Sequence, residues 1–175
     1  HQLLWTLHHA LVDGWCMPLI YRDVILAYRA FVDGRQPDLP SPPSYERYIA
    51  WLASRDMDQA RAHWRDLLAG IDAPTPLMID RIPVAPDAGT GHREQVLELD
   101  AAATRRLQSF AQTHRTTLNT LLQWAWACLL HRYSGDSSVV FGATISGRSG
   151  QVPGVEEMIG LFINTIPVKV DFVQG

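Results

Sequence analysis

Residues 3–34 read LLWTLHHALVDGWCMPLIYRDVILAYRAFVDG, and two different periods meet inside them. Leu3, Trp5, Leu7 and His9 fall on one side of an extended chain, with Thr6 and His8 on the other, so 3–9 reads as a strand. A short turn follows at 10–14. Met17, Ile20, Val24, Tyr28 and Phe31 then recur at helical spacing, with Arg22, Asp23, Arg29 and Asp33 between them, and Gly34 ends the run. A strand that delivers a histidine pair into a turn and then an amphipathic helix sets the class as α/β.

The same reading extends outward. QPDLPSPP at 36–43 is an extended connector; Pro37 and Pro40 fit a PxxP spacing, but without a second such motif a plain linker is the preferred reading. Residues 45–54 and 58–69 read as two helices, the second with Ala60, Trp64, Leu67 and Leu68 on one face and Gly70 as its stop. Pro74, Pro76, Pro83, Pro86, Gly89 and Gly91 mark the clearest boundary in the chain. Beyond it, 94–99 alternates as a strand. Asp100 caps a helix to about His114, with Ala103, Leu107, Phe110 and Ala111 inward. Thr116 or Thr117 caps another to Tyr133, apolar nearly all round and therefore expected to be buried, with Trp124, Trp126 and the earlier Trp64 as core. Residues 139–145 form a continuous apolar strand, 146–154 a Gly-rich loop, and 165–172 a last strand that Pro167 confines to an edge or bulge.

At 175 residues the chain holds about one domain of the usual 100–200 residues. Its 47% hydrophobic and 19% charged residues suffice for a core and exclude wholesale disorder. A net charge of -3 gives no basic field, so no nucleic-acid partner is expected. No apolar run nears the roughly 20 residues that span a bilayer, and no signal peptide is visible, so no membrane partner and a cytoplasmic setting are expected. Two cysteines, Cys16 and Cys128, make no secreted disulfide framework. Strands at both ends without flanking sequence suggest a piece of a longer protein. No glycine-rich phosphate loop lies between a strand and a helix, so nucleotide binding has no support.

The chemistry concentrates in His8-His9-Ala10-Leu11-Val12-Asp13-Gly14. Adjacent strand residues point to opposite faces, so His8 and His9 do not share one metal ion; no metal is expected, and His63, His92, His114 and His131 show no ligand spacing either. One histidine must act without the other. His9, at the strand's end, is placed to meet a cleft, where an imidazole exchanges protons near neutral pH. A carboxylate at Asp13 calls for a partner such as Arg, and Gly14 allows an unusual backbone or a close approach.

Leu7-His8-His9-Ala10-Leu11-Val12-Asp13-Gly14-Trp15 resembles the signature of condensation domains from nonribosomal peptide synthetases. Residues 45–51, YERYIAW, resemble the family's next core motif, and residues 159–165, IGLFINT, the one after, with Ser146-Gly147-Arg148 before it. The histidine motif alone also occurs in chloramphenicol acetyltransferase and its relatives; the segment at 159–165 points to condensation domains. The resemblance implies a chloramphenicol-acetyltransferase-like two-lobe α/β sandwich, here incomplete. On it, 1–78 is the C-terminal part of the first lobe, 79–92 a linker, and 93–175 the N-terminal part of the second.

The resemblance further implies amide formation between a donor acyl or peptidyl thioester and an acceptor aminoacyl thioester. Both would be carried on the phosphopantetheine arms of donor and acceptor peptidyl carrier proteins, with an adjacent adenylation domain in the same synthetase and no cofactor bound directly. His9 is then the functional histidine, as base or as positioner of the amine, and Gly14 lies near the tetrahedral centre. His8 and Asp13 are structural members of the motif, and Trp15, Ser146 and Asn164 are candidate channel-lining residues. Asp13 is expected to pair with an Arg upstream of this chain. Cys16 stands where many members have Ser, which raises a covalent cysteine role against the preferred reading of a small packed residue. Lys169 stands where Arg is frequent. Three alternatives remain: an epimerisation domain, a non-catalytic carrier-recruiting domain of the same fold, and an acyltransferase using coenzyme A. The high Arg-to-Lys ratio and the family together suggest a bacterial antibiotic or secondary-metabolite pathway.

Overall fold

The computed structural model describes residues 2, 4–77, 94–148 and 150–173. Five α-helices and two strands follow in order: α1 (Cys16–Val32), α2 (Glu46–Ala53), α3 (Met57–Leu67), α4 (Ala101–Thr113), α5 (Leu118–Ser134), β1 (Ser138–Ile145) and β2 (Asn164–Asp171), with a 3-10 turn at Val155–Glu157. The ends are set by local chemistry. Gly34, at φ +67°, lets the chain leave α1 through an Arg35 N–H to Ala30 carbonyl bond of 2.8 Å. Asp100 accepts the Ala103 N–H at 2.6 Å to open α4, and of the two candidate threonines it is Thr117 that accepts the Thr120 N–H to open α5.

The chain forms two compact units, each discontinuous in sequence. The first comprises His1–Leu67 and Gly142–Ile166, and the second Leu68–Phe141 and Pro167–Gly175. The first is centred on Val152, Val155, Met158 and Phe162, with Tyr45, Tyr48 and Trp51 packed against them. The second is centred on Ala127, Leu130 and Val139, with Phe141, Val170 and Phe172 around them. β1 and β2 pair with each other. Ser138 meets Asp171 while Gly142 faces Thr165, so the two strands run antiparallel. In this two-stranded sheet β2 has no second partner strand among the described residues, which accommodates Pro167. The linker expected at 79–92 lies outside the described residues.

Five expectations change, one of them on α4, where Phe110, expected inward, is 51% exposed. Leu3 lies outside the described residues, and 4–9, like 94–99, forms no strand. A strand exists only where a neighbour takes up its N–H and C=O groups, and neither segment has one among the described residues. On α1 the buried residues are Cys16 and Ala30, while Val24, Tyr28 and Phe31 are exposed. On α5 only Ala127 and Leu130 are buried; Trp124 is 61% exposed and Trp126 47%, so neither is core. Periodicity marks an apolar face, but burial needs an element to lie on it, and β1 covers only the Ala127–Leu130 side. No helix among the described residues is long and apolar enough to cross a membrane.

Candidate functional site

The motif turn and the segment at 160–165 meet within the first unit. The turn begins with Leu11 donating its N–H to the His8 carbonyl at 3.0 Å, and His8 Nδ1 accepts the Ala10 N–H at 3.1 Å. His8 is thus tied into its own turn. His9 instead lines a cavity of about 450 Å³ with Ala10, Thr144, Leu161, Ile163, Asn164 and Thr165.

Asp13, 2% exposed, anchors the turn to that wall. Its Oδ2 accepts the N–H groups of Phe162 at 2.9 Å and Ile163 at 3.3 Å. Its Oδ1 accepts Trp15 N–H at 3.1 Å and Arg148 Nη2 at 3.3 Å. Burial pushes the Asp13 carboxyl up, but the Phe162 N–H, the Cys16 thiol and Arg148 together outweigh it and hold the carboxyl below its ordinary 3.8. Arg148 is equally buried, and its Nη1 donates to the carbonyls of Val155 at 2.6 Å and Met158 at 2.9 Å. Its Nε has no hydrogen-bond partner among the described residues, and the guanidinium lies 4.0 Å over the Phe162 ring. Both terminal nitrogens of the guanidinium are thus engaged in structure.

Two further side chains hold the wall. Cys16 Sγ lies 3.1 Å from the Gly160 carbonyl and 3.4 Å from Asp13 Oδ1, and accepts from Gly160 N–H and Arg148 Nη2. Tyr45, at the start of α2, donates its hydroxyl to the Leu161 carbonyl at 2.6 Å. Gly160 is pressed onto the Tyr45 ring so closely that a Cβ would stand 2.2 Å from it. Gly147 is as constrained, at φ +66° with a Cβ position 1.8 Å from the Phe162 carbonyl. The backbone of 160–163 is fixed almost atom by atom.

A family model described as "Condensation domain" matches residues 1–175. The chain belongs to the condensation-domain family. It is 48% identical to a linear gramicidin synthase protein of Brevibacillus parabrevis, over 97% of this chain and 3% of that protein. It is 46% identical to chondramide synthase of Chondromyces crocatus, over 97% of this chain and 4% of that protein. Among solved structures it is similar to the first condensation domain of the CDA synthetase, with a TM-score of 0.71, 25% identity, and coverage of 97% of this chain and 37% of that one. It is also similar to the X-domain from teicoplanin biosynthesis solved with OxyB, at a TM-score of 0.72, 32% identity, and coverage of 94% and 38%. The condensation-domain chain thus spans a few per cent of these curated relatives and under two fifths of the solved domains.

Of the residues singled out in the sequence, the structure brings His9 and Asn164 to one cavity. Asn164 and Ser146 share a second, of about 420 Å³, with Tyr48, Trp51, Phe162 and Arg148. Trp15 lines neither; its Nε1–H donates to the Glu156 carbonyl at 3.3 Å and its ring faces Arg148. Gly14 is exposed with no positive φ, and a Cβ there would meet nothing within 4 Å. Neither an unusual backbone nor tight packing among the described residues explains glycine at that position. Within this chain Asp13 is held by Arg148, 135 residues downstream. The sequence marks Arg148 through Ser146-Gly147-Arg148, the tripeptide ahead of the 159–165 motif, but nothing in it names Arg148 as the partner of Asp13. Cys16 is fully buried with its sulfur engaged, which favours the packed reading over a covalent one. Among the described residues Lys169 makes long contacts, 3.5 Å to the Ala69 carbonyl and 3.7 Å to Asp171.

Proposed function

We propose that this chain is part of an amide-forming condensation domain, the end of its first lobe and the start of its second. The observation that carries the reading is His9, which lines a cavity together with Leu161 and Ile163, in a segment whose Phe162 and Ile163 N–H groups Asp13 holds. The acceptor's amine attacks the donor's thioester carbonyl. A C–N bond forms, the C–S bond breaks, and the amine proton leaves for the His9 imidazole and then the departing thiolate. Proton transfer by a placed side chain contributes about a hundred- to ten-thousand-fold, and proximity of amine and thioester adds to it. Gly14 leaves room for the reacting carbonyl beside a backbone N–H. Substrates arrive on phosphopantetheine arms of donor and acceptor carrier proteins of a synthetase that also holds an adenylation domain, in the cytoplasm. No resident cofactor enters the chemistry.

The test is single-turnover peptide transfer between two loaded carrier proteins by the intact parent domain, with and without His9→Ala. A hundredfold or greater loss with folding unchanged supports the reading. The likeness to an X-domain solved with OxyB favours a second reading, recruitment of a partner protein. Tight partner binding with no transfer by the wild type would select it.

A further inference from the structure

We propose that Tyr45 is a positioning residue for the His9 site, acting through the Leu161 carbonyl. The role rests on the amide-forming reading above. Leu161 forms part of the wall that faces His9, and its carbonyl receives the Tyr45 hydroxyl at 2.6 Å, 116 residues away in sequence. The Tyr45 ring cannot slide off this bond. Gly160 abuts the ring so closely that a Cβ there would stand 2.2 Å from it, and Phe162 meets it edge-on at a centroid distance of 5.0 Å. The residues on either side of Leu161 are therefore held through the same ring, while Asp13 takes the Phe162 N–H from the far side. Burial, with Tyr48 and Asp13 adding to it, keeps the phenol above its ordinary 10.0, so it remains a donor throughout the neutral range. Tyr45 reaches no reacting atom; it fixes where Leu161 stands in the cavity that His9 also lines. A wall displaced by a fraction of an ångström is enough to slow a reaction whose rate depends on placement.

Tyr45→Phe removes the hydroxyl and keeps the ring. In single-turnover transfer by the intact parent domain, the rate at saturating acceptor should fall about three- to tenfold, the worth of one hydrogen bond, with the apparent acceptor KM within about twofold. The decisive arm is the same substitution on a His9→Ala background, where the further loss should be under about twofold, because the geometry it spoils no longer serves an imidazole. Equal losses on both backgrounds would overturn the role and leave Tyr45 as fold support alone. So would no loss on the wild-type background, or a loss that tracks a falling melting temperature. A wild-type domain with no transfer would overturn the amide-forming reading and this role with it. That result is distinct from an active wild type with additive losses, which would overturn the role of Tyr45 alone.

Discussion

Asp13 Oδ2 accepts the Phe162 N–H at 2.9 Å across 149 residues of chain. The motif turn and the 160–165 segment are thus a single structural object, with the carboxylate as the joint. One oxygen takes two successive backbone N–H groups of the wall, and the other takes the motif's own Trp15 N–H and the buried Arg148. The carboxyl is held below its ordinary value because these hydrogen bonds and the Arg148 charge outweigh the cost of its burial.

Arg148→Met should therefore be costly in the intact parent domain. It strands the Asp13 charge and removes the donor from the carbonyls of Val155 and Met158. Breaking one side of a buried pair costs about 3–5 kcal/mol. Urea denaturation should show a loss of that order, with part of it recovered in the Arg148→Met/Asp13→Asn double variant. A loss below about 1 kcal/mol, typical of a surface substitution, would show that the pair is not structural.

The same carboxylate sets a pH dependence. Asp13 is held below 3.8 in the folded chain, so the unfolded chain binds its proton more readily. The stability this contributes is fully present above the unfolded value and is lost as pH falls through the depressed folded one. Melting temperatures taken from about pH 6 down to about pH 3 should fall more steeply at the acid end for the wild type than for Asp13→Asn. Parallel curves would assign acid sensitivity to other carboxylates.

Cys16 is fully buried and Cys128 partly so. A thiol reacts only as an accessible thiolate. Iodoacetamide on the native parent domain should leave Cys16 unmodified and modify it only after denaturation, as read by peptide mass mapping. Rapid native labelling of Cys16, with activity lost in step, would revive the covalent cysteine reading.

Much of this arrangement was legible in the sequence. Asp100, Thr117 and Gly34 announce their helix ends, because caps act through neighbours in the chain. The strand whose alternation would separate His8 from His9 does not form; the two are separated instead because His8 is tied to its turn and His9 lines a cavity. The resemblance at 159–165 also placed Asn164 among the channel-lining candidates. What the sequence concealed is long-range. Nothing local pairs Asp13 with Arg148 or Tyr45 with Leu161, since those bonds join segments more than 110 residues apart. The strands expected at 3–9 and 94–99 failed for a related reason. Alternation records a face, whereas a strand also needs a neighbour to bond with. The exposed side of α5 shows the same limit for a helix, in that an apolar surface does not name its cover.

Three glycines near the site should respond differently to alanine. At Gly160 a Cβ would stand 2.2 Å from the Tyr45 ring, and at Gly147 it would stand 1.8 Å from the Phe162 carbonyl in a left-handed backbone. Overpacking of this kind costs about 1–3 kcal/mol, and the left-handed conformation adds about 1–2 at Gly147. Both variants should lower the melting temperature of the parent domain, Gly147→Ala more. At Gly14 a Cβ meets nothing within 4 Å and φ is not positive, so Gly14→Ala should melt with the wild type. If glycine is there to let a reacting carbonyl approach the backbone, Gly14→Ala should nonetheless slow single-turnover transfer at least tenfold. Transfer at the wild-type rate would remove Gly14 from the site. A lowered melting temperature would instead mean that another part of the domain packs against it.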